Sequence, residues 1–197
     1  MFLVWIGFSA LAFVWNLDQR SLLTRAREHP FSVSIGEVRD AESRADFVNH
    51  TALALVVITA AFFITWLYLE YRMAQRTSTR ARFEAGWAIG AWFVPIVNWF
   101  RPYQVMEDVW SATAGRERSR ALVASWWGFS VGSVAVALAA GSGGDARTIN
   151  EALTENGFYV ARAVLTLLAA VFALLMVRAV LHEERVQIES TRAEATA

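Results

Sequence analysis

Cysteine is absent from the 197 residues, which excludes disulfides, thiolate catalysis and Cys-ligated zinc or iron-sulfur centres. Lysine is absent too, so all 18 basic side chains other than histidine are Arg. Arg and Lys are not equivalent donors, but the complete loss of one reflects a coding bias rather than a chemical need. An excess of either charge is also missing, because 18 Asp and Glu balance the Arg. No global field therefore argues for nucleic acid or for an acidic substrate. Proline is scarce, at three residues, and two of them, Pro95 and Pro102, share one short stretch. What the chain has in abundance is apolar surface: 56% of its residues are hydrophobic, several of them in runs near the ~20 residues that a helix needs to cross a bilayer.

Four such runs predict an all-α integral membrane protein, a single membrane domain with spans at about 1–17, 47–69, 121–140 and 158–181. The first could pass for a signal peptide, since Ala10-Leu11-Ala12 resembles a cleavage site, but it lacks a basic n-region and reads as an uncleaved helix. A loop at 18–46 follows, in which Ser34-Ile35-Gly36-Glu37 fits a capping box, so a helix should start near Ile35 and continue into the second span. Thr148 and Glu151 form a second capping-box pattern, and Gly157 is expected to end the short helix they start. Arg72, Arg76, Arg80 and Arg82 follow the second span, and Arg101, Arg116, Arg118 and Arg120 precede the third. If the stretch between them enters and leaves from one face, the positive-inside rule makes both clusters cytoplasmic, as are the N-terminus and the tail at 182–197. If it crosses, there are five spans and the Arg-bearing loop at 18–46 moves inside, a choice that charge counting barely separates and length decides.

Between the two Arg clusters lies a stretch too short to be an ordinary span. Residues 87–100 would cover only about 21 Å as a helix, and Pro95 and Asn98 interrupt them. The four-span reading therefore makes 86–114 a re-entrant or interfacial segment. A helix over 86–94 should break at Pro95, with Asn98 donating to the freed carbonyls. Pro102 suits the first turn of a second helix, running to about Ala114 along the inner surface. Its apolar face would carry Tyr103, Met106 and Trp110, with Gln104, Glu107 and Asp108 mostly off it. Seven of the nine Trp lie between Trp66 and Trp127, which suits an aromatic belt at the headgroups.

These residues also carry a resemblance. Trp66-Leu67-Tyr68, Gly86-Trp87, the run from Trp92 through Pro95 to Asn98, Trp99, Arg101-Pro102-Tyr103 and Glu107-Asp108-Val109-Trp110 resemble the bacterial membrane-protein family named domain of unknown function 4328. The resemblance is strong over about 66–127 and extends to the flanking spans by hydropathy. It implies a multi-span plasma-membrane protein, common in actinobacteria, with no established activity and so no catalytic residues to transfer. Two departures stand out: the adjacent Glu107 and Asp108 make the second helix unusually acidic, and the chain starts directly in a span.

Little else suggests chemistry. Gly128-Phe129-Ser130-Val131-Gly132 matches the nucleophile-elbow pattern but lies in a helical apolar run, where a small-xxx-small packing surface, for a membrane partner or a second copy of the chain, is the better reading. His29 and His50 lack companion ligands, so no metal site is expected, and no cofactor or catalytic residue is assigned. Arg162 and Arg178, near the ends of the last span, fit snorkelling side chains. Two functions of different class follow. The first is a non-enzymatic scaffold or accessory subunit that docks a partner or lipid headgroups through the helix after Pro102. The second is a small-solute or lipid-binding protein with a cavity at the broken helix, lined by Asn98, Arg101, Tyr103 and Glu107, around the structural frame of Trp92, Pro95, Trp99, Pro102 and Trp110.

Overall fold

The computed structural model describes residues 2–77, 81–113, 120–142 and 146–196. Arg80, Ala114, Arg116 and Arg118, which figured in the topology argument, lie outside these residues. Every regular element among the described residues is helical: α1 (Phe2–Glu28), α2 (Ile35–Thr77), α3 (Trp87–Gly90), α4 (Arg101–Thr113), α5 (Ala121–Gly141) and α6 (Ile149–Thr196). Single 3-10 turns occupy Pro30–Ser32 and Val97–Trp99.

Three helices, α2, α5 and α6, are long and apolar enough to cross a membrane. In their apolar windows only 11%, 11% and 22% of residues are buried within the protein, so most of these side chains face outward. Leu53, Val57 and Phe62 of α2 and Leu138 of α5 are each exposed. In water such surfaces would be an aggregation hazard; against lipid they cost nothing.

The helix starts follow from local side-chain chemistry. Ser34 and Glu37 form the expected capping box, with the Ser34 amide donating to Glu37 Oε2 (2.8 Å) and the Glu37 amide to Ser34 Oγ (3.2 Å). At the start of α6, the Thr148 amide donates to Glu151 Oε2 (3.1 Å) and the Glu151 amide to Thr148 Oγ1 (3.2 Å). Each pair satisfies two amides that a helix start leaves open. Gly157, however, does not end a helix, and α6 runs through it without a break. A lone interior Gly costs about 1 kcal/mol, which tertiary ties readily outweigh. Those ties are present on either side: Asn156 Nδ2 donates to the Asn16 carbonyl (3.2 Å), and Arg20 Nη1 donates to the Leu153 carbonyl (3.3 Å).

The chain divides into two compact units. One holds the residues up to 59 together with 128–170; the other holds 60–127 together with those from 171 on. In the first unit α1 is tied to α6 by the two bonds just described. Gly132 of α5 approaches Leu165 of α6, so that an added Cβ would lie 3.6 Å from Leu165 Cδ1. Gly132, expected as a contact for a partner or second copy, thus meets a helix of its own chain; around Gly128 there is open space.

The second unit has the denser interior, with Leu67, Tyr71, Val105, Met106, Val109, Trp110, Val123, Met176 and Val180 all buried. Here the Pro-broken segment takes its form. Only α3 is helical before Pro95, shorter than the expected 86–94. The chain then advances by tight turns, Trp92 N–H to Ile89 O (3.2 Å), Phe93 N–H to Gly90 O (3.1 Å) and Asn98 N–H to Val94 O (2.8 Å). Pro95 lacks an amide and disfavours helical geometry at Val94, so no continuous helix spans 87–100. After the turn at Val97–Trp99, α4 begins at Arg101 with Pro102 in its first turn, where a missing N–H does no harm.

Candidate functional site

The chemistry of the second unit centres on Asp108, in the middle of α4 and only 4% exposed. A carboxylate in such a position needs partners, because burying an unpaired charge is prohibitive. Three donors reach it: Tyr71 Oη to Oδ2 (3.1 Å), the Arg82 backbone amide to Oδ2 (3.0 Å) and Arg82 Nε to Oδ1 (2.6 Å). The Tyr71 hydroxyl in turn accepts the Phe83 amide (2.8 Å), and Gln75 Nε2 donates to the Phe83 carbonyl (2.8 Å). Tyr71 and Gln75 lie four residues apart, hence on one face of α2, and together they pin Phe83 of the irregular return at 81–84 against that helix.

Arg82 does more than neutralise Asp108. Its Nη2 donates to the Gln104 carbonyl (3.1 Å) and to Glu107 Oε2 (2.8 Å), while Arg120 Nη1 takes Glu107 Oε1 (2.7 Å). Partial burial works against the Arg82 cation, but the hydrogen bond and charge of Asp108, then those of Glu107, outweigh it and raise its pKa above the ordinary Arg value. The two adjacent carboxylates of α4 are thus shared between one Arg preceding the broken segment and another entering α5.

This network changes the reading of α4. Its expected apolar face is indeed buried at Met106 and Trp110, but so are Pro102, Val105, Asp108, Val109 and Ser111, and none of residues 101–113 is exposed. The helix is enclosed on nearly every side instead of lying with a polar face to water. Enclosure is tolerable for the two carboxylates because the Arg82, Arg120 and Tyr71 donors satisfy them, although Gln104 Oε1 is buried without a hydrogen-bond partner among the described residues. Met106 and Trp110 of the expected docking face are thus covered by the chain itself, and Tyr103 is half-buried.

Exposure appears instead in the apolar stretch just before α4. Trp87, Ile89, Phe93, Val94, Ile96, Trp99 and Phe100 are all exposed, with Phe93 at 74% and Ile96 at 78%. Of the seven clustered Trp, only Trp87 and Trp99 stand at this edge. Trp110 is buried, and Trp66, Trp92, Trp126 and Trp127 gather with Phe63, whose ring lies 5.7 Å from Trp66, 6.1 Å from Trp92 and 5.5 Å from Trp126. Trp127 extends the cluster to Trp92 (6.2 Å) and donates its Nε1 to the Trp99 carbonyl (3.2 Å), anchoring the turn after Pro95. Trp126 is buried and Trp66, Trp92 and Trp127 are half-buried, so these rings pack against one another beside the segment.

The polar residues expected to line a cavity are not brought together as one. Glu107 is saturated by two Arg, and Tyr103 is half-buried on α4. Asn98 has no hydrogen-bond partner for its side chain among the described residues; it is its backbone amide that meets the Val94 carbonyl freed near Pro95. Arg101 lies on aromatic rings, 3.9 Å from the Phe83 centroid and 5.2 Å from Trp87. At the heart of the network, the sequence assigns no site role to Tyr71 or Arg82 and marks Asp108 only as one of two adjacent acids. The available signal was the pair of adjacent acids in an Arg-rich, apolar setting.

An all-helical chain with three helices long and apolar enough to cross a membrane has the features of a membrane protein. Within that class, the chain belongs to the family described as Domain of unknown function (DUF4328), whose model matches residues 30–181. The match begins after α1 and takes in all three candidate spans and the whole broken segment up to residue 181 of α6. No curated protein and no solved structure matches the chain.

Proposed function

We propose that this protein is a non-enzymatic membrane scaffold of four spans, α1 being the fourth, whose segment 87–100 sits in the cytoplasmic interface and presents its apolar edge to lipid. Both termini are cytoplasmic in this reading, and the membrane is the plasma membrane of a bacterium. One observation carries it: a connecting segment leaves Phe93 and Ile96 about three-quarters exposed while the charged helix beside it is enclosed. That arrangement is stable when the medium around 87–100 is apolar. A scaffold role is supported by the state of the polar groups, since Asp108 and Glu107 are occupied by structural partners and have no free oxygen aligned for acid-base work. Ser130 lies within the unbroken α5, without the strand-turn-helix geometry of a nucleophile elbow.

The absence of Cys makes the test direct. A single Cys introduced at position 96, labelled with a nitroxide and reconstituted into vesicles, should collide readily with oxygen and poorly with a water-soluble nickel chelate. Free access of the nickel chelate would sink the interfacial placement. Single-Cys labelling at position 1 from either side of the vesicle reads the orientation, and an outward N-terminus would overturn the four-span topology. Co-purification in mild detergent completes the test, a stoichiometric protein or lipid companion being expected and a bare monomer arguing against a scaffold.

A further inference from the structure

Three Arg side chains surround the enclosed helix, and they are used differently. Arg82 and Arg120 pair with Glu107, and Arg82 also with Asp108. Arg101 pairs with no carboxylate among the described residues. Its guanidinium carbon instead lies 3.9 Å from the Phe83 ring centroid, 5.2 Å from Trp87 and 5.9 Å from Phe100, and its Nε is buried without a hydrogen-bond partner. A planar cation held by its faces on aromatic rings, with its Nε covered, still presents its two Nη groups, which donate to no acceptor among the described residues, and that end of the guanidinium matches the two oxygens of a phosphate.

The surroundings specify what kind of phosphate. Arg101 follows directly on the exposed Trp99 and Phe100, and the same segment exposes Phe93, Val94 and Ile96. A soluble anion would leave this apolar edge uncovered, whereas a phospholipid supplies a phosphate and a hydrocarbon chain in one molecule. Glu107 and Asp108 are already engaged, so α4 offers no acid to a cationic headgroup. We propose that Arg101, clamped by Phe83, Trp87 and Phe100, binds the headgroup phosphate of an anionic phospholipid whose acyl chains lie along the exposed edge of 87–100. This rests on the interfacial placement of that segment.

The test uses the full chain in a mild non-ionic detergent, titrated with phosphatidylglycerol or phosphatidylcholine, with bound lipids counted by native mass spectrometry. One phosphatidylglycerol should be held about tenfold more tightly than phosphatidylcholine, equivalent to about 1.4 kcal/mol. Arg101→Gln should abolish that preference, and Arg185→Gln, at an exposed Arg of α6, should leave it intact. Equal retention of the two lipids by the unaltered chain, a comparison that requires no variant to fold, overturns the site, as does an unchanged preference in Arg101→Gln. Displacement of the lipid by millimolar inorganic phosphate would assign the site to a free anion and overturn the lipid. The nitroxide at position 96 reports separately: a membrane-embedded label without lipid preference sinks the Arg101 site alone, while a water-exposed label sinks the placement on which it rests.

Discussion

Residues 87–100 and residues 101–113 are neighbours of similar length, and they invert the usual relation between polarity and burial. The first stretch is almost wholly apolar and largely exposed; the second carries Arg101, Gln104, Glu107 and Asp108, yet each of its residues is buried or half-buried. The inversion teaches that the two stretches make opposite demands on their surroundings. Enclosed polar groups demand partners within the chain, which Tyr71, Arg82 and Arg120 supply. Exposed apolar groups demand an apolar medium, which the interfacial placement proposed above would supply.

The comparison can be broken from the enclosed side first. Arg82→Ala removes the guanidinium shared by Asp108 and Glu107 and should cost about 3 kcal/mol, the low end for stranding a buried charge because Arg82 itself is partly solvated. Thermal or denaturant unfolding in detergent measures it, and a loss below about 1 kcal/mol, the level of an exposed pair, would show the network to be decorative. Met106→Ala, which empties a fully buried position of the same helix, should cost about 2–3 kcal/mol in the same assay. Tyr71→Phe keeps the ring but removes a hydroxyl that donates to Asp108 and accepts from Phe83, for an expected loss of about 1.5–2 kcal/mol. From the exposed side the effect should nearly vanish: Ile96→Ala in detergent should change stability by less than about 0.5 kcal/mol. If Ile96→Ala cost as much as Met106→Ala, the segment would be covered by something other than detergent or lipid, and the contrast would fail.

Sequence made part of this legible, and the division follows the range of the interactions. The capping boxes at Ser34/Glu37 and Thr148/Glu151 span three residues each, so their pattern and their geometry are the same statement. The break at Pro95 and the start of α4 beside Pro102 are equally local consequences of a ring that fixes φ and removes a donor. The three apolar runs in α2, α5 and α6 coincide with the helices fit to span a membrane. Illegible were the contacts made at distance. Asp108 meets Tyr71 across 37 positions and Arg82 across 26, and without that knowledge helical periodicity sends an aspartate toward water. Gly157 misled for the same reason, because the bonds that carry α6 past it come from Asn16 and Arg20 of α1. Asn98 was credited with a role that its backbone performs instead.

The Tyr71 hydroxyl has one proton to give. With the Phe83 amide directed at its oxygen and a carboxylate alongside, only one orientation of that proton satisfies both neighbours. The sequence of donors from the Phe83 amide through the phenol to Asp108 is therefore polar in a single sense, like a row of compass needles aligned by its ends. A hydroxyl proton so placed, on a ring with no exposed surface, should exchange slowly with bulk water and give a discrete, downfield-shifted resonance. That resonance would be a native signature of the closed return at 81–84, visible without any label on the protein.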